Sequence, residues 1–230
     1  MANNSPISVA GGQKKKTGTV RTAPSGQKKA FTAAQVADLT DRLADDAHQA
    51  NKGERAVRDY ALFRVAVCSM LRASDLLNLR LIDVWDRQEG VRREFTVTQK
   101  KTQRHTTCFI ADQTQQALSE WLHLNFGAAL YPLPKEQATI AAEIDQELVF
   151  PISDRQYRNI VHAWAQRIGL NSKLYSTHSL RRTKAKEIYT QTRDVESIRR
   201  LLGHSSIAAT HAYLGVDRDE VEQVARRVEI

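Results

Sequence analysis

Two short stretches of the chain set proton-transfer, anion-binding and nucleophilic groups at fixed spacings. In "THSLRRTKA" (177–185), His178 and Arg181 stand at i and i+3. On a helix start that spacing puts an imidazole and a guanidinium on one face, next to backbone N–H groups that favour an anion. In "GHSSIAATHAY" (203–213), His204 follows a glycine, and Tyr213 comes nine residues after it. Gly203 suits a helix end, and Ser205 or Ser206 suits the cap of the next helix. Ala208 and Ala209 allow that helix to pack closely and carry Tyr213 back toward His204. A guanidinium binds two anionic oxygens at once, and an imidazole exchanges protons near neutral pH. A phenol attacks once a base or nearby positive charge eases removal of its proton. The chemistry these types share is displacement at a phosphate. Each also has an ordinary reading, as surface polar pairs or a core tyrosine, so the rest of the chain decides.

The elements that must hold these groups are mostly helical. "TAAQ" (32–35) reads as a capping box, followed by Val36, Leu39, Leu43 and Ala47 on one helical face. "NKG" breaks that helix, and a second runs from Glu54 to Met70. In "LRASDLLNLRLIDV" (71–84), Ser74 is a candidate cap for a short helix over Asp75–Leu79. Strand-like residues follow at 81–86, 94–100 and 105–110, with "RQEG" and "KKTQ" as turns. They predict a small three-stranded antiparallel sheet. Asp112 caps a predicted helix to residue 126, and 127–147 read as a long connection with two prolines. "LVF" (148–150) adds a short strand or docks the chain. Further helices are predicted at 154–168, ended by Gly169, and at 178–191, 194–202, 207–213 and 217–228. The fold class is mainly α with a small three-stranded antiparallel β-sheet (α+β).

The order Arg72, Lys101, His178, Arg181, His204, Tyr213, with "HSLRRT" and "LLGHSS" as they stand, resembles the tyrosine recombinase (phage integrase) family. The resemblance covers residues 31 to about 220. "LRASDLLNLRLIDV" looks like the family's first-arginine box and "KTQRHTTCFI" like its hairpin lysine segment. It implies a catalytic-domain fold and a site-specific recombinase that cleaves and rejoins DNA through a 3′-phosphotyrosine link, without metal or ATP. Arg72 and Arg181 then clasp the non-bridging oxygens and Tyr213 attacks. His178 accepts the phenolic proton, and His204 binds a phosphate oxygen. Lys101 protonates the leaving 5′ oxygen; its neighbour Lys100 stays open as the alternative. Asp75 is a support for Arg72 or for nearby backbone. The implied partners are double-stranded DNA recombination sites, further copies of the chain in a tetramer, and accessory proteins. Two other readings stay open: a type IB topoisomerase-like enzyme acting as a monomer, and a DNA-binding regulator that no longer cuts.

The bulk composition agrees with a DNA partner. Of a net charge of +8, residues 1–30 carry +6 (Lys14, Lys15, Lys16, Arg21, Lys28 and Lys29, with no acid), leaving +2 for the rest. This segment reads as a flexible basic arm for a polyanion, or as a solvated leader. With Lys100, Arg104 and Arg182, its lysines are the candidate DNA contacts. No stretch is long and apolar enough to span a membrane. Cys68 and Cys108 have no metal-like spacing and fit a reducing cytoplasm, the expected place for a prokaryotic protein that is nucleoid-associated or mobile-element-encoded. No cluster has metal-ligand spacing, so neither metal nor other cofactor is expected. The expected organisation is an arm, 1–30, and one catalytic domain, 31–230, without the family's usual separate core-binding domain. The helix at 217–228 is expected to dock on a neighbouring copy or on its own core.

Overall fold

The computed structural model describes residues 28–215. Their order is α1 (Ala33–Ala47), α2 (Gly53–Ser69), α3 (Ala73–Leu76), α4 (Leu81–Val84), β1 (Trp85–Asp86), β2 (Gly90–Val91), β3 (Glu94–Thr98), β4 (His105–Phe109), α5 (Asp112–Phe126), α6 (Ala138–Asp145), α7 (Asp154–Arg167), α8 (Thr177–Thr192), α9 (Val195–Leu202) and α10 (Ile207–Leu214). The predicted capping box opens α1. Thr32 Oγ1 accepts from Gln35 N at 3.2 Å, and Gln35 Oε1 accepts from Thr32 N at 3.0 Å. Such a cap contributes about 1 kcal/mol. The main core gathers Leu39 and Leu43 of α1, Leu62, Phe63 and Ala66 of α2, Leu118 and Leu122 of α5, Val161 and Trp164 of α7, and Leu180 of α8. The central helices α2 and α8 thereby become rigid supports for what lies at their ends.

A second, smaller apolar cluster has a different task. Met70, Ala185, Ile198, Leu202 and Leu214 pack together, with Tyr213 at the edge. It fastens α9 and α10 onto α8. Met70 ends α2 in the left-handed region, at φ 54°, which costs a non-glycine residue about 1 kcal/mol or more. Its buried side chain in the second cluster holds it there. The turn it makes brings the chain back so that Arg72, in extended conformation, heads α3.

The β region is antiparallel as expected, but it is two hairpins rather than one three-stranded sheet. Trp85 and Asp86 pair with Val91 and Gly90, and Glu94–Thr98 pair with Phe109–His105. Only the last two residues of the expected first strand are extended, because Asp83 turns Leu81–Val84 into a helix: its carboxylate accepts from Arg80 N at 2.8 Å, and Leu81 and Val84 are buried along one side. The predicted connection 127–147 also contains α6. Its Ile144 packs on the core, and Arg87 ties it down through Asp145 at 2.6 Å. "LVF" docks: Leu148 makes an isolated bridge to Arg80, and Val149 and Phe150 are fully buried. The expected helix at 217–228 lies outside the described residues. Among the described residues, no helix is long and apolar enough to cross a membrane.

Candidate functional site

Helix α8 positions the central pair. Ser176 precedes its first turn, where Ser176 N donates to Ser179 Oγ at 3.0 Å. This fixes His178 at the exposed rim, and Arg181, one turn on, points inward with 2% of its surface exposed. Arg181 Nη2 donates to the Leu202 carbonyl at 2.6 Å, at the end of α9. Its Nη1 is buried and makes no well-aligned hydrogen bond among the described residues. Burial lowers the Arg181 pKa to about 10, against a raising contribution from Tyr213. The guanidinium is still charged at neutral pH.

Gly203 ends α9 at φ 64°. It meets two demands: a left-handed backbone and room for a neighbour. A Cβ there would lie 2.5 Å from Gln99 Nε2 and 2.7 Å from Thr106 Oγ1. The turn delivers His204. Ser206, the second of the two candidate caps, opens α10 by accepting from Ala209 N at 3.2 Å. Helix α10 then returns Tyr213 to His204, and their rings meet edge to face, with centroids 5.2 Å apart. His204 Nδ1 also pairs with Thr210 Oγ1 at 3.1 Å. Burial, with Arg181 and Arg72, pushes the His204 pKa down to about 4.

The Tyr213 hydroxyl is buried and makes no well-aligned hydrogen bond among the described residues, although the Arg181 and Arg182 guanidiniums lie close enough to act on it. Burial raises its pKa, while the nearby guanidiniums of Arg181 and Arg182 pull it back. Arg182 lies over the Tyr213 ring, 4.9 Å from the centroid, and donates to the Lys28 carbonyl at 2.8 Å. It therefore contacts the tyrosine and the root of the basic segment, rather than simply projecting outward.

Arg72 reaches the same place from the head of α3. It donates through Nη1 to Gln99 Oε1 and stands 3.9 Å from Asp75 Oδ2. Asp75 is 3% exposed and its Oδ1 accepts from Lys100 N at 3.0 Å. Its support thus reaches both the arginine and the hairpin backbone. Lys100, Lys101 and Arg104 are exposed at the β3–β4 turn. Partial burial lowers the His178 pKa, and the charges of Arg181, Arg182, Arg72 and Lys101 lower it further. Lys101 therefore lies within electrostatic reach of His178. Lys100 lines a cleft with Asp75, Asn78, Arg80, Asp83 and Thr96. Lys28 and Lys29 lie exposed beside the turn before α8, where Lys29 N donates to the Leu174 carbonyl at 2.8 Å. Lys14, Lys15 and Lys16 are outside the described residues.

The model of the Phage integrase family matches residues 29–220. The chain belongs to the phage integrase family. It is similar to the probable integrase/recombinase YoeC of Bacillus subtilis (strain 168), with 30% identity over 70% of this chain and 80% of that protein. It is also similar to the tyrosine recombinase XerC of Histophilus somni (strain 2336), 29% identical over 73% of this chain. It spans 52% of that XerC, about half its length. In fold it resembles the XerA recombinase, with a TM-score of 0.62 at 21% identity over 92% of this chain and 68% of that one. A pre-cleavage XerH recombinase bound to its difH substrate gives 0.63 at 17% identity, over 91% of this chain and 56% of that one.

Two further residues of this integrase-family chain pack against these groups and were missed by sequence reasoning. Gln99 is 1% exposed and fully engaged between Arg72 and α9. Thr210 is fully buried against His204. A polar residue at an expected inward strand end was the only available signal for Gln99. Thr210 stands one helical turn before Leu214 in "IAATHAYL", on the inward side, which its type alone did not reveal.

Proposed function

We propose that this integrase domain cleaves and rejoins double-stranded DNA at specific sites through a 3′-phosphotyrosine intermediate, with energy conserved in the ester and neither metal nor ATP required. The observation that carries this reading is the adjacency of the buried Arg181 guanidinium and the buried Tyr213 hydroxyl, which feel each other's charge while neither Arg181 Nη1 nor the hydroxyl makes a well-aligned hydrogen bond among the described residues. A scissile phosphate would satisfy both: its oxygen accepts from the guanidinium, and its phosphorus takes the phenolate. Such preorganised charge is commonly the largest catalytic contribution. In the proposed reaction Arg72 and Arg181 neutralise the non-bridging oxygens. His178, held neutral at pH 7, accepts the Tyr213 proton. His204 contacts a phosphate oxygen and backs the tyrosine ring. Lys101 protonates the 5′ oxygen as it leaves, and its electrostatic reach to His178 favours it over Lys100. Reversal by another strand's 5′ hydroxyl gives recombination. We assign the reaction to a tetramer on two sites in the cytoplasm. The fold likeness to DNA-bound recombinases supports the DNA partner.

The test is a nicked duplex carrying a site selected from random-sequence DNA by binding. The chain is expected to form a denaturant-stable covalent adduct on the 3′ side of the cleaved strand. Specific binding with no adduct would leave the regulator reading. Relaxation of supercoils by a monomer on any sequence would leave the topoisomerase reading.

Proton linkage gives a second check. Positive neighbours contribute to the low pKa values of His178 and His204. Burial is the larger cause of both shifts, but a bound phosphate cancels the neighbours' part, so binding is accompanied by proton uptake below neutral pH. Titration calorimetry in two buffers of different ionisation enthalpy should show different binding enthalpies. A buffer-independent enthalpy would contradict this placement of the anion.

We further propose that the basic segment lies along the DNA, since Lys28 joins the domain beside α8 and Arg182. Each lysine or arginine that neutralises a phosphate adds about 0.9 to the slope of log affinity against log salt. Removing residues 1–27 takes away Lys14, Lys15, Lys16 and Arg21 and should flatten the slope by up to about 3.6. An unaltered slope would make the segment a passive leader.

A further inference from the structure

We infer that Gln99 is the positioning residue that sets the distance between the two arginines and ties the lysine turn to them, an inference resting on the phosphate-clasping role proposed for Arg72 and Arg181. Gln99 is the last residue before the β3–β4 turn and is 1% exposed. Its Oε1 accepts from Arg72 Nη1 and, at 2.9 Å, from Thr102 Oγ1. Its Nε2 donates to the Leu202 carbonyl at 3.1 Å and to Thr106 Oγ1 at 2.6 Å. All the hydrogen-bonding capacity of a primary amide is thereby used.

Arg181 Nη2 donates to that same Leu202 carbonyl. A continuous bridge therefore runs from Arg72 through the Gln99 amide and the Leu202 carbonyl to Arg181. Three separate pieces of chain, the head of α3, the β3–β4 hairpin and the end of α9, are held in one register by one side chain. Gly203 serves the bridge, because a Cβ there would occupy the space of Gln99 Nε2. Thr102 adds the catalytic turn, since it follows Lys101 directly and its hydroxyl is anchored on the same amide oxygen.

A neutral amide suits this task better than a carboxylate. It orients the Arg72 guanidinium without cancelling the charge that the phosphate is to meet. Asp75, the nearby acid, stands 3.9 Å off and uses its other oxygen on the Lys100 backbone. An amide also donates to Leu202, which an ionised acid cannot do.

The test compares wild type with Gln99→Met, which keeps the shape and loses the hydrogen bonds, and with Gln99→Glu, which keeps the acceptors and loses the donors. Single-turnover adduct formation on the nicked duplex should fall about 100-fold in Gln99→Met, the scale of a misplacement near 1 Å. DNA affinity should stay within about threefold, because one phosphate contributes little to the total. A merely structural role is excluded by repeating the cleavage on a methylphosphonate at the scissile position. That group lacks the charge that Arg72 is there to neutralise, so the gap between wild type and Gln99→Met should shrink to tenfold or less (roughly, as expected for an electrostatic contribution). If Gln99→Met does not fold, as urea unfolding would reveal, Gln99→Glu decides, with an expected loss of at least about tenfold on the phosphodiester. Wild-type rates in the folded variant, or a defect equal on both substrates, would overturn the inference alone. No adduct from wild type would overturn the proposed function, and this inference with it.

Discussion

Tyr213→Phe should abolish covalent adduct formation while leaving DNA binding intact. The substitution removes one oxygen. The ring stays packed edge to face against His204 and beneath Arg182, so the fold of α10 is kept. Stability should change little or rise. The hydroxyl is buried and makes no well-aligned hydrogen bond among the described residues, and burying such a group costs about 1–3 kcal/mol. This separates the variant from one that fails by unfolding. The measurement is a denaturing gel of the nicked-duplex reaction, with a urea melt and a binding titration of the same preparation. The expected loss is complete within the assay, because no general acid, base or arginine substitutes for the attacking atom. A covalent product from the Phe variant would mean another residue attacks, and Tyr213 would return to an ordinary part of the second apolar cluster.

How much of this site could be read from the sequence depends on whether each residue's role is local. Gly203, Ser206 and Tyr213 belong to one stretch of eleven residues (203–213), and helix punctuation alone gave the turn, the cap and the return of the tyrosine. His178 and Arg181 were equally local, as one turn of one helix. Arg72 and Lys101 were not, and only the resemblance of their flanking segments drew them in. Gln99 escaped because its importance exists only across the fold, where α9 and the head of α3 converge on it. The same limit explains the β region. The residue types in 81–86 resemble a strand, but Asp83 satisfies the Arg80 N–H and makes a helical turn locally cheaper. Helix α6 escaped because the prolines before it signalled a connection, whereas its anchor, Arg87, lies more than fifty residues away in sequence. Patterns of period and capping are visible in a sequence; hydrogen bonds between distant segments are not.

Arg181→Met should reduce cleavage by about 10²–10³-fold, the usual loss when one preorganised donor to a developing charge is removed. Affinity for DNA should fall far less, because binding sums many phosphate contacts and cleavage depends on one. Arg181→Lys should not rescue. A single ammonium cannot both hold the Leu202 carbonyl, as Nη2 does, and present a second donor beside Tyr213. The stability of the Met variant is the more telling part. Burial holds the Arg181 pKa down to about 10, which means folding works against its charge. No carboxylate is hydrogen-bonded to Arg181 among the described residues, so an apolar side chain of similar volume removes a desolvation cost without stranding a bonded partner charge. The Leu202 carbonyl would keep its bond from Gln99. Arg181→Met is therefore expected to unfold at no lower urea concentration than wild type while losing nearly all cleavage. Equal losses in binding and cleavage, or a marked drop in stability, would indicate that the guanidinium serves the fold. The predicted combination would show a cation kept in the interior against its own desolvation cost, because a phosphate in transit needs it there.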